Sequence, residues 1–160
     1  MLQIRIIAVG KVREKYLQEG IREYAKRLSS YVRLEILEVP DEPCPERLFR
    51  AEEEKVKRRE GERILKVLSL QDYVIVLDLK GKEMDSPAFA RFLDDQALTG
   101  RSTITFVIGG SLGVSDEVKK RADFKWSFSK LTFPHQLIRL MLLEQIYRAC
   151  KISRGEPYHK

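Results

Sequence analysis

Ile104-Thr105-Phe106-Val107-Ile108-Gly109-Gly110-Ser111-Leu112-Gly113 is a β-branched apolar strand that empties into a glycine-rich turn. A buried strand followed by such a turn is a usual ligand site in an α/β protein, because exposed backbone N–H groups gather there. Downstream, the pattern predicts a short helix near Ser115–Ala122, a short strand at Phe124–Ser127 and a long amphipathic helix from Pro134 to Ile152. The chain closes on Pro157-Tyr158-His159-Lys160, a tail unusually rich in titratable and aromatic groups for a terminus.

Upstream, strand and helix alternate. Leu2–Val9 reads as a strand ending at Gly10, and Tyr16–Leu28 carries apolar residues at helical spacing. Val32–Val39 is a second strand, closed by Pro40 and followed by the turn-rich connector Asp41-Glu42-Pro43-Cys44-Pro45. A highly charged helix is expected from Glu46 to Leu68, its Glu52–Glu54 and Lys55–Arg59 runs reading as solvated surface. Tyr73–Leu79 is nearly unbroken apolar, as a central parallel strand covered on both faces should be. Lys80-Gly81-Lys82 is expected to turn the chain, and Ser86-Pro87 to cap a helix reaching Leu98. Five strands with intervening helices make one three-layer α/β domain over residues 1–160, with a mostly parallel sheet.

The 160 residues suffice for a real core, and 43% hydrophobic with 34% charged residues describes a globular chain. No apolar run approaches the roughly 20 residues that span a bilayer, and the N-terminus reads as a strand with no leader, so a cytoplasmic protein without a membrane partner is expected. The net charge of +6 favours a polyanionic partner. Cys44 and Cys150 have no metal-like spacing and read as buried or idle thiols.

Three motifs carry the chemistry. Gly109–Gly113 matches Gly-x-Ser-x-Gly, which presents a serine nucleophile in hydrolases. The chain is short for that fold, lacks an upstream His-Gly-Gly-Gly run, and offers only His135 or His159 as base, with Asp123 as the acid in the expected order. The loop Trp126-Ser127-Phe128-Ser129-Lys130-Leu131-Thr132-Phe133-Pro134-His135 alternates hydroxyl and large apolar residues and could wrap an aromatic ring; Phe128, Leu131 and Phe133 could equally be core. Pro134 is expected at the first helical position, and His135 beside a helix N-terminus would disfavour its charged form. On the last helix, Leu137, Leu140, Met141, Glu144, Ile146, Tyr147 and Cys150 lie on overlapping faces, which suits a sheet plus a partner subunit, or core alone.

Together, Phe106–Gly113, Ser127–Gln136, Glu144-Gln145-Ile146-Tyr147-Arg148-Ala149 and Pro157–Lys160, with Ile7–Lys11 and Leu77-Asp78, resemble the RlmH-type ribosomal RNA methyltransferases of the SPOUT superfamily. The resemblance implies a deep C-terminal trefoil knot over about residues 104–160, an exception to the rule against threaded chains. It implies a homodimer that uses S-adenosylmethionine, without a metal, to methylate N3 of a pseudouridine in 23S ribosomal RNA of the assembled 70S ribosome. By motif, Leu77, Gly109 and Trp126, Ser127, Phe128, Ser129, Lys130 and Leu131 would form the donor pocket. The tail would supply His159 as base or orienter, Tyr158 as a stacking or hydrogen-bonding group and Arg154 as an RNA anchor. A basic RNA-binding protein that has kept the fold without catalysis is the alternative.

Overall fold

The structure, a computed structural model, describes all residues except Pro45, Arg47 and Leu48. Its elements run β1 (Gln3–Val9), α1 (Lys15–Leu28), β2 (Arg33–Val39), α2 (Arg50–Val67), β3 (Tyr73–Glu83), α3 (Ser86–Leu98), β4 (Thr103–Ile108), α4 (Asp116–Arg121), β5 (Phe124–Ser127) and α5 (His135–Ser153). The strands form one parallel sheet in the order β2-β1-β4-β3-β5. The expected three-layer α/β domain is therefore present.

Alternation along the inner strands builds two cores, because successive side chains point to opposite faces. Ile4, Ile6 and Ala8 of β1 join Ile75, Ile104 and Phe106 beneath α1, α3 and α5, where Leu28, Phe89, Leu142, Leu143 and Ile146 are buried. Ile7 and Val9 turn the other way with Val74, Val76 and Val107, against Ile64 of α2 and Val118 of α4. Fully burying each such side chain contributes about 1.5–3 kcal/mol. The charged runs of α2 lie largely in solvent, while Val56 and Glu60 face inward.

Four local expectations need correction. Lys80-Gly81-Lys82 is no turn: β3 runs on to Glu83, and a bulge lets both Leu77 and Lys82 pair with Trp126 of β5. Gly81 is required there because a Cβ would come within 2.6 Å of the Lys125 backbone. Asp85, not Ser86, caps α3, its carboxylate accepting the Ala88 N–H at 2.8 Å, while Ser86 Oγ donates to Gln145 at 2.7 Å. Pro134 sits at the N-cap of α5 in extended conformation, one residue before the position that favours proline. Phe49 is extended, so α2 starts at Arg50; Arg47 and Leu48 of the expected longer helix, and Pro45 of the connector, lie outside the described residues.

Candidate active site

The carboxyl ends of β3, β4 and β5 meet the start of α5. Here β4 hands over to the glycine turn, which is closed by a Gly113 N–H bond to the Gly110 carbonyl at 3.0 Å. Gly113 has φ +88°, a left-handed conformation that glycine adopts freely. Gly109 has a different reason to be glycine: a Cβ would lie 2.8 Å from both the Gly113 carbonyl carbon and Val114 Cγ1. The turn thus brings bare backbone to the wall of a cavity of about 460 Å³, opposite Leu77, Asp78 and Lys80 and roofed by Phe133 and Ile138.

A second, smaller cavity of about 80 Å³ adjoins it, sharing Leu77, Asp78, Leu79, Phe133 and Ile138. Trp126, Ser127, Phe128, Ser129 and Leu131 line it. The loop is ordered by its own hydroxyls: Ser127 Oγ donates to the Ser129 carbonyl at 2.9 Å, and Ser129 Oγ accepts the Leu131 N–H at 3.0 Å. Trp126 stacks on Phe89 with ring centroids 4.3 Å apart and meets Phe128 edge-on at 4.7 Å. It is buried, and its indole Nε1 has no hydrogen-bond partner in the structure. Such an orphaned donor is uncommon in a packed interior. Leu131, by contrast, is 68% exposed at the cavity mouth.

The fold therefore gathers Leu77, Gly109, Trp126, Ser127, Phe128, Ser129 and Leu131 around two adjoining cavities, while Lys130 is exposed and lines neither. The resemblance did not assign Asp78, Phe133 or Ile138 to this site. Asp78 could have been found from its position directly after the apolar run Tyr73–Leu77, at the bulge of β3.

The tail lies elsewhere. Tyr158 packs edge-on against Tyr147 with centroids 4.9 Å apart, and its hydroxyl donates to Glu144 at 3.1 Å. Burial, reinforced by Tyr24 and Glu144, pushes the phenol's pKa well above its ordinary value. Arg148 bonds Glu144 and reaches His159 Nδ1 at 3.0 Å. A guanidinium only donates, so Nδ1 must accept and the His159 proton sits on Nε2. Arg154 lies over the Tyr31 ring at 4.5 Å, beside a cavity walled by Leu2 and Ile4 at the amino end of β1. Arg154, Tyr158 and His159 line neither of the two adjoining cavities. The serine-nucleophile reading fails on the same grounds of position: Asp123 is spent on the Val74 N–H at 2.8 Å, and Ser111 hydrogen-bonds no described histidine.

Comparison with known proteins decides the family. The family model described as "Predicted SPOUT methyltransferase" matches residues 2–159. The chain belongs to the SPOUT methyltransferases. Among its SPOUT relatives, the ribosomal RNA large subunit methyltransferase H of Desulfitobacterium hafniense (strain Y51) is 69% identical over 160 residues, covering 100% of both chains. The protein of that name from Carboxydothermus hydrogenoformans is 60% identical over 159 residues, covering 99% of this chain and 100% of its own. A solved structure of a probable methylase family protein from Haemophilus influenzae Rd KW20 shares the fold at TM-score 0.57 and 13% identity, over 100% of this chain and 72% of that one. A putative methyltransferase from Legionella pneumophila, solved with bound SAM, shares it at TM-score 0.51 and 11% identity, over 95% of this chain and 66% of that one. Among the described residues, no helix of this SPOUT chain is long and apolar enough to cross a membrane.

Proposed function

We propose that this chain transfers the methyl group of S-adenosylmethionine to N3 of a pseudouridine in bacterial 23S ribosomal RNA. It acts as a cytoplasmic homodimer on the assembled 70S ribosome, its C-terminal segment folded as a deep trefoil knot. The observation that carries the reading is the pair of adjoining cavities around Gly109, in a chain whose full-length relatives bear the name of a large-subunit RNA methyltransferase.

The donor, when bound, would offer its sulfonium methyl to in-line attack by N3 and leave as the neutral thioether, while the N3 proton passes to water. The residues fit such a group: the turn at Gly109, too tight for a Cβ, presents bare backbone to the larger cavity, and the orphaned Trp126 Nε1 is a buried donor awaiting a partner. Leu77, Phe128 and Leu131 supply apolar walls, while Ser127 and Ser129 hold the loop backbone in place and Trp126 fixes its base against Phe89. Lys130, exposed beside the mouth, would meet the donor's outer edge or RNA.

The tail residues reach this pocket from a second copy. Within one chain α5 separates its own N-terminus, at the cavities, from Arg154 by 19 residues, about 28 Å at 1.5 Å per residue. In the dimer, Arg154 contacts phosphate, Tyr158 offers its ring and His159 orients the acceptor through Nε2–H. Phosphate contacts made by lysine and arginine give strong salt dependence. The test uses labelled S-adenosylmethionine with 70S ribosomes, naked 23S RNA, and ribosomes carrying uridine at the target. Label confined to pseudouridine of ribosomes supports the reading. Calorimetry showing no S-adenosylmethionine binding would instead favour a non-catalytic RNA-binding protein.

A further inference from the structure

A large cleft of about 730 Å³ lies at the carboxyl edge of β1 and β2, between Lys11–Glu14 and Glu38–Asp41. The register pairing Val9 with Val39 brings these two strand ends side by side. Its far wall is His135, which also lines the larger of the two adjoining cavities. Among the described residues, His135 alone is common to both linings. A methyl transfer needs two compartments that meet at the reacting atoms, and these two meet at an imidazole.

The chemistry of the ring favours one role. Its Nδ1 is buried without a hydrogen-bond partner, so protonating that nitrogen would strand a donor in the interior. The neutral form that avoids this keeps the proton on Nε2. Burial, then the Arg139 charge, lowers the His135 pKa, outweighing the opposing pull of Asp41 and Glu14. Glu38 is already spent on Arg139, whose guanidinium is buried and also donates to the Gly10 carbonyl at 3.2 Å. A neutral imidazole that donates one N–H suits a carbonyl oxygen on which negative charge develops. At the rim, Lys11 and Arg13 are exposed and form no ion pair with a described residue. Asp41 likewise makes no ion pair with a described residue and offers a carboxylate acceptor within the same cleft.

We propose that this cleft receives the acceptor nucleotide: His135 Nε2–H donates to the carbonyl beside the reacting imide nitrogen, Asp41 accepts a ring N–H, and Lys11 and Arg13 hold the flanking phosphate. The inference rests on the methyltransferase reading and assigns the compartment that reading leaves open. A uracil-type base with two carbonyls and ring N–H groups matches this donor and acceptor set, and a nucleotide fits the volume.

The test measures steady-state methylation of 70S ribosomes by the full-length chain, with donor affinity read separately by calorimetry. The double variant Lys11→Ala/Arg13→Ala is expected to raise KM for ribosomes about tenfold, flatten the salt dependence and leave donor affinity unchanged. His135→Leu is expected to lower kcat about tenfold at saturating ribosomes, and His135→Gln, which keeps an N–H donor, to recover part of it. Wild-type transfer with unchanged kinetics in all three variants would overturn the inference alone. A wild-type protein that transfers no methyl group would overturn the proposed function and the inference with it.

Discussion

Gly109→Ala is the sharpest single perturbation of the cavity proposed to hold the donor. The new methyl would sit 2.8 Å from the Gly113 carbonyl carbon and from Val114 Cγ1, and 2.9 Å from the Gly113 oxygen. Ordinary carbon contacts lie at about 3.5–4.0 Å, so the turn must open by roughly 0.7 Å or more. Two of the three contacts are backbone and cannot rotate away. Overpacking of this kind costs about 1–3 kcal/mol. For a chain of this size, about 2 kcal/mol corresponds to a fall in Tm of roughly 4–8 °C. The same displacement moves the backbone that lines the cavity, so S-adenosylmethionine should bind at least about tenfold more weakly, near 1.4 kcal/mol. Gly100→Ala is the control: Gly100 has φ +82° and nothing within 4 Å of a Cβ. It should lose about 1–2 kcal/mol from the left-handed backbone alone, with donor binding intact. Scanning calorimetry and isothermal titration of both variants make the comparison. A Gly109→Ala protein that melts with wild type and binds the donor equally would refute the reasoning.

Other expectations follow from buried polar groups. Arg139 is 2% exposed and joins Glu38 to the Gly10 carbonyl, so Arg139→Leu should lower urea-unfolding stability by about 1–3 kcal/mol; unchanged stability would show the pair to be idle. Burial raises the Glu60 carboxyl, so its folded pKa exceeds its unfolded value and the native state binds that proton more tightly. That stability is present below the unfolded value and is lost as pH rises through the folded one. Glu60→Gln should therefore raise Tm more at pH 8 than at pH 4, and an equal effect at both would contradict this. Burial pushes the Cys150 thiol up to about 11, so iodoacetamide at pH 8 should alkylate it far more slowly than an ordinary thiol; equal rates in native and unfolded protein would count against it.

The sequence disclosed what local chemistry controls. Ile104–Ile108 and Tyr73–Leu79 read correctly as inner strands, because burial on both faces demands unbroken apolar runs. Leu77 and Gly109 fell at a cavity because parallel strand ends collect ligand sites. Lys80-Gly81-Lys82 misled because glycine serves a turn and a bulge equally, and its real constraint, the Lys125 backbone, is distant in sequence. Asp85 and Ser86 are both good caps one residue apart, and their partners separate the roles: Asp85 accepts the Ala88 N–H, while Ser86 Oγ donates to the distant Gln145. The tail's place was hidden for the same reason as Gly81's: Glu144, Arg148 and Tyr24 hold it from other turns of the fold. The cleft behind His135 arises from the β1–β2 register, which no local motif announces.

The central claim is methylation of one pseudouridine in large-subunit RNA. It is tested most directly by nucleoside mass spectrometry of 23S RNA from cells lacking this protein, before and after complementation. The account predicts that N3-methylated pseudouridine disappears and that the wild-type gene restores it, while Gly109→Ala restores it poorly. The same methylated nucleoside at full abundance without the protein would contradict the account.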